Sequence, residues 1–112
     1  MIEGLVSGRL QGRPEQRSDR NGQPFVVAKM RTAPAGGDGE SLFVNVVAFA
    51  EAARTALLAL EDGDVAALAG SLTPKVWTDR EGTARPALDM VASQVLTAYH
   101  VSRKRDAMAG DA

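Results

Sequence analysis

Side chains alternate with a period of two in five separate segments of this chain, and only one stretch departs from that rhythm. Successive Cβ atoms of an extended chain point to opposite faces, so such alternation marks strands. In residues 2–10, Ile2, Gly4, Val6, Gly8 and Leu10 alternate with Glu3, Leu5, Ser7 and Arg9. The glycines there point to sharp curvature or a bulge. Residues 25–32 place Val26, Ala28 and Met30 on one face, against Phe25, Val27, Lys29 and Arg31. Residues 42–49 set Val44, Val46 and Ala48 against Phe43, Asn45, Val47 and Phe49. A fourth strand is expected over 64–75, with Pro74 implying an edge or a bulge, and a fifth over 85–99. The exception is AEAARTALLALEDG, residues 50–63, rich in helix formers, with Gly63 as a cap and Ala53, Leu57, Leu58 and Leu60 as its apolar stripe.

The connections carry turn chemistry. Residues 12–24 read as a polar loop around Asp19-Arg20-Asn21-Gly22, and Asp79-Arg80-Glu81-Gly82 repeats that signal. Residues 33–41 read as a flexible connection. The order is strand, strand, strand, helix, strand, strand. Five short antiparallel strands with the helix between the third and fourth match the OB-fold, an all-β Greek-key barrel with one helix. A different small barrel or an open α+β sheet fits the same order. The expected domain covers residues 1–100, and the polar residues 101–112 are expected to be a disordered tail.

At 112 residues the chain is one domain's length, enough for a core without staples. It has no cysteine, which excludes disulfides and thiolate metal sites. The start, MIEGLVSGR, lacks the features of a signal peptide, and no apolar run approaches a membrane span of about 20 residues. A cytoplasmic protein is expected, with no membrane partner. Net charge is only −1, yet residues 1–31 and 75–105 each carry six basic and three acidic groups. A basic face forms if those two segments meet; otherwise these are solvated surface residues.

If the small aliphatic side chains fill the barrel, Phe43 and Phe49 are left outside, beside Asn45, Lys29 and Arg31. On the fourth strand Lys75 and Trp77 share the outer parity. That explains why the one tryptophan sits beside a polar turn: it offers a face on which an unpaired base stacks, while flanking cations meet phosphates. The competing reading has Trp77 packing its own hairpin and the phenylalanines covered by a partner subunit.

Four motifs in order resemble the bacterial single-stranded DNA-binding protein family. They are SGRLQGRPEQR (7–17), FVNVVAF (43–49), DGDVAALAGSL (62–72) and WTDREGTAR (77–85). The resemblance spans residues 2–98. It implies an OB-fold that assembles as a homotetramer and binds single-stranded DNA without strict sequence preference, in replication, recombination or repair. It assigns stacking to Trp77, Phe43 and Phe49, and backbone contacts to Arg85 and the loop residues Arg17 and Arg80. Asn45, Lys29, Arg31 and Lys75 complete the expected interface. Phe43 stands where a Trp is frequent, residues 33–41 lack an aromatic, and Pro86 stands where an aromatic is common. The family's linker and acidic, Phe-ended tail are not found in these residues, so tail-mediated recruitment of repair enzymes is not expected.

The alternative is an adaptor similar to primosomal replication protein N, which shares the fold and usually dimerises. A third reading is an oligomerisation barrel without nucleic acid. No enzyme and no cofactor are expected. His100 is the one histidine, no triad accompanies it, and Asp62 and Asp64 are too few for a calcium loop.

Overall fold

The computed structural model describes residues 2–32 and 41–97. The expected tail, His100 and most of the 33–41 connection lie outside the described residues. The elements are β1 (Ile2–Leu10), β2 (Glu15–Ser18), β3 (Pro24–Thr32), β4 (Leu42–Ala48), α1 (Glu51–Leu58), β5 (Val65–Thr78) and β6 (Ala84–Thr97). Hydrogen bonding runs in the order β1-β5-β6-β4-β3-β2, and a second pairing of β1 with β3 closes the first five into a barrel. This is the OB architecture, and two details correct the sequence reading.

First, the loop 12–24 contains a strand. β2 pairs antiparallel with β3, Glu15 facing Val27 and Ser18 facing Pro24. It follows β1 along one edge of β3, where Arg9 and Leu10 face Arg31 and Met30. Polar Glu15-Gln16-Arg17-Ser18 is exposed throughout, so it shows no apolar alternation. Counting β2, the helix follows the fourth strand in chain order, not the third. Second, the strands are not all antiparallel. β4 and β6 run parallel, from Phe43 opposite Ala87 to Val47 opposite Val91. The α1 crossover and the β5–β6 hairpin bring the chain back in that direction.

The aliphatic faces fill the barrel as their parity required. Val26, Ala28, Met30, Val44, Val46 and Ala48 are buried, joined by Leu10, Leu68 and Met90. Ala53, Leu57 and Leu60 pack into this core, whereas Leu58, expected in the same stripe, is exposed. α1 ends at Leu58, so Gly63 does not cap it. Gly63, at φ 87°, instead turns the chain into β5. Its N–H donates to the Leu10 carbonyl at 3.0 Å, and the Leu10 N–H donates to Asp64 O at 2.9 Å. Asp62 Oδ1 accepts the Gly12 N–H at 2.7 Å, and Asp64 Oδ2 accepts the Glu61 N–H at 2.8 Å. The two aspartates therefore pin this corner.

The bulge suggested for β1 lies elsewhere. Register slips between Ala69 and Gly70 on β5. A Cβ at Gly70 would collide with the Val91 carbonyl, and one at Gly8 with the Arg31 carbonyl. Both glycines allow backbones to approach closely. Pro74 lies beyond the last β1–β5 pair, Ile2 with Leu72, so its missing N–H faces no third strand. From there β5 and β6 form an arm ending at Thr78 and Ala84. Among the described residues no helix is long and apolar enough to cross a membrane.

Candidate nucleic-acid interface

The outer face of β3 and β4 is a ladder of facing pairs: Arg31 with Phe43, Lys29 with Asn45, and Val27 with Val47. Its length from residue 43 to 49 is roughly 20 Å at about 3.3 Å per residue. At one end the Arg31 guanidinium lies over the Phe43 ring, 5.1 Å from its centroid. At the other end Phe25 and Phe49 meet with centroids 6.1 Å apart and planes tilted by 44°. Phe49 is 57% exposed. Phe25 is also opposite Arg17 of β2.

The β5–β6 arm supplies the opposite wall. Trp77 pairs with Arg85 across the arm and is 44% exposed. Its indole borders one concavity with Arg31, Phe43, Asp79, Arg85 and Pro86. It also borders the next, with Gln11, Lys29, Phe43, Asn45 and Ala87. A third concavity continues past Lys29 and Asn45 to Arg13, Glu15 and Arg17. Shared walls make these three one track. Phe43 and Trp77 belong to two of its sections, and Lys29, Asn45 and Gln11 join the second to the third.

The arm is held by its own turn. Asp79 Oδ1 accepts the N–H groups of Glu81 and Thr83 at 3.0 and 2.9 Å. Gly82, at φ 81°, completes the turn, and its N–H donates to the Asp79 carbonyl at 3.0 Å. The turn at Asp19 makes the same contacts to Asn21 and Gln23, at 2.8 and 2.9 Å, with Gly22 at φ 79°. Asp79 also uses Oδ2 to hold the Arg85 Nε at 3.0 Å. The Thr83 N–H and then the Arg85 side chain keep its carboxyl below the ordinary 3.8.

Seven of the ten residues expected from the sequence line this track: Trp77, Phe43, Asn45, Lys29, Arg31, Arg85 and Arg17. Phe49 lines none of the three concavities and packs on Phe25, which faces Arg17. Lys75 is set beside it, ion-paired with Asp89, whose other oxygen accepts from Asn45 Nδ2 at 3.3 Å. Arg80 is exposed at the tip of the turn and lines none of the three concavities. Phe25, Gln11 and Arg13 were not among the expected residues. Phe25 had the right parity, and Arg13 belongs to the loop motif, but only folding shows that Gln11 and Arg13 line the track and that Phe25 packs on Phe49 opposite Arg17. No group of three or more potential metal ligands occurs among the described residues.

Comparison with known proteins agrees with this fold. The "Single-strand binding protein family" model matches residues 1–98. "Single-stranded DNA-binding protein 2" of Staphylococcus aureus (strain COL) is 35% identical over 95 residues, covering 81% of this chain and 68% of its own length. The crystal structure of a small single-stranded DNA-binding protein from Streptomyces coelicolor is 27% identical, with a TM-score of 0.62, covering 84% of this chain and 91% of that one. A Plasmodium falciparum SSB in complex with ssDNA is 13% identical and shares the fold, with a TM-score of 0.56, covering 86% of this chain and 93% of that one. With barrel, arm and matched residues in agreement, the chain belongs to the single-strand binding protein family.

Proposed function

We propose that this protein binds single-stranded DNA along the β3–β4 face, without sequence preference, and protects strands exposed in replication, recombination or repair. One observation carries the reading: Phe43 and Trp77 are shared between adjoining sections of a track that has cations on both sides. Unpaired bases expose π-faces that these rings can cover whatever the base. Lys29, Arg31 and Arg13 meet phosphates, with Arg17, Arg85 and Lys75 available once their protein partners are displaced. Phe25 and Phe49 extend the path at its far end, and Asn45 supplies a polar contact at its centre. Arg80 meets a strand that passes the tip of the arm. Duplex DNA hides its base faces and binds worse.

The reading includes a cytoplasmic location and assembly into a homotetramer. Exposed Leu5, Val65 and Val91 support self-association, since they lie off the track and present apolar surface.

An oligothymidylate titration tests the function, because Trp77 is the one tryptophan in the chain. Quenching that weakens with salt is expected, with poor competition by duplex. Neither quenching nor a mobility shift at low salt would remove the reading.

A further inference from the structure

Each section of the track has a carboxylate in it or beside it, and each of those carboxylates already holds a cation. Glu15 Oε2 meets Arg17 Nη2 at 3.2 Å in the section bordered by Arg13 and Lys29. Asp89 pairs with Lys75 and also accepts from Asn45, beside the middle section. Asp79 meets Arg85 at 3.0 Å in the section bordered by Trp77 and Phe43. Arg13, Lys29 and Arg31 line the same track and have no ion pair with a described carboxylate.

Resting on the DNA-binding reading, we propose that Glu15, Asp79 and Asp89 are internal counterions of the track. They occupy Arg17, Arg85 and Lys75 in the free protein, so that stacking on the rings, and not bulk positive charge, selects the nucleic acid retained. A carboxylate and a phosphate oxygen compete for the same guanidinium and ammonium donors. A cation still held by its own carboxylate neutralises no phosphate, and so releases none of the counterions condensed on the nucleic acid. It therefore adds little to the counterion-release term on which non-specific polyanion binding depends. A duplex offers phosphates but no base faces, and so gains least from a track arranged in this way. The three acids are positioning and specificity residues; they need not touch a base.

The test uses the triple variant E15Q/D79N/D89N, an oligothymidylate of about eight nucleotides, within the 4–16 that an OB fold spans, and a duplex of equal length. The amides keep the oxygens that accept in the Asp79 turn and from Asn45. Arg13, Lys29 and Arg31 alone imply a wild-type salt slope of about −2, and the release of Arg17 and Lys75 as well implies about −3.5, at roughly 0.7 per single-strand contact. The variant is expected to show the steeper slope and a larger gain for duplex than for the oligothymidylate. The charge-matched control E3Q/E51Q/E61Q, changed away from the track, is expected to show neither. Wild-type binding with no change of slope in the triple variant overturns this inference alone. So does an equal change in the control. If the wild type binds no oligothymidylate at low salt, both the inference and the proposed function fall. Should the triple variant not fold, E15Q and D89N serve singly, each expected to steepen the slope by about 0.7; no steepening in either overturns the proposal.

Discussion

Trp77 and Phe43 are the residues on which the proposed recognition turns. The indole has one pairing partner across the arm, Arg85, and is close to half exposed. Such a ring contributes less to the core than a buried one and leaves more surface for a ligand. Trp77→Ala and Phe43→Ala are therefore expected to lower affinity for single strands by about 1–3 kcal/mol per base lost, with urea midpoints close to wild type. Unfolding of these variants would return the rings to a packing role. Gly70 is the opposite case, a residue whose work is purely structural. A Cβ there would run into the Val91 carbonyl, at the slip in register. Gly70→Ala is expected to destabilise the fold by about 1–3 kcal/mol in urea unfolding, as overpacking does. A neutral result would show that the bulge can relax. Parity alone put Phe43, Phe49 and Trp77 outside the barrel. It did not reveal that Phe49 pairs with Phe25, because that contact joins the end of β4 to the start of β3.

At the scale of elements, the two hairpin turns are one design used twice. Asp19 and Asp79 each accept two N–H groups through one oxygen, and each is followed three residues later by a glycine at positive φ. The repeated Asp-Arg-x-Gly made both legible in the sequence. The ion pair of Asp79 with Arg85 was not legible, since it depends on the pairing of the arm's strands. It gives the arm a sensitivity to acid. The folded arm holds the Asp79 carboxyl below its ordinary 3.8, first through the Thr83 N–H and next through Arg85. The folded state thus favours the carboxylate. Its contribution is present above 3.8 and is lost as pH falls through the depressed folded value. A carboxyl titration by NMR is expected to find a midpoint for Asp79 below 3.8, moving toward that value in R85A. A midpoint at or above it in the wild type would remove the turn's role as an acid-sensitive clasp. β2 is the element that the sequence hid. Its residues are all exposed, so the hydrophobic periodicity that marks the other strands was missing, and only the partner strand β3 makes it a strand.

For the whole molecule, closure decides what lies where. β1 is shared between β5 and β3, and that double pairing turns a six-stranded sheet into a barrel with one inside. The same closure leaves Leu5 62% exposed on the outside, away from the track. Self-association is expected to cover surface of this kind. Light scattering is expected to give four times the 11.8 kDa chain mass, with Leu5→Lys shifting the assembly toward smaller species. A monomer in the wild type would show that the exposed apolar residues serve another purpose.

The sequence by itself determined the strands with an apolar face, the helix, the two turns and which strand side chains turn outward, though not the side of the helix that Leu58 takes. Each of these follows from local periodicity or from the conformational preferences of single residues. Tertiary structure alone decided the parallel pairing of β4 with β6, the place of β2, and the carboxylates that hold the track's cations. The β4–β6 pairing and the Asn45–Asp89 contact join residues far apart in the chain, and the other features depend on which strand becomes the neighbour, about which alternation and turn chemistry carry no information.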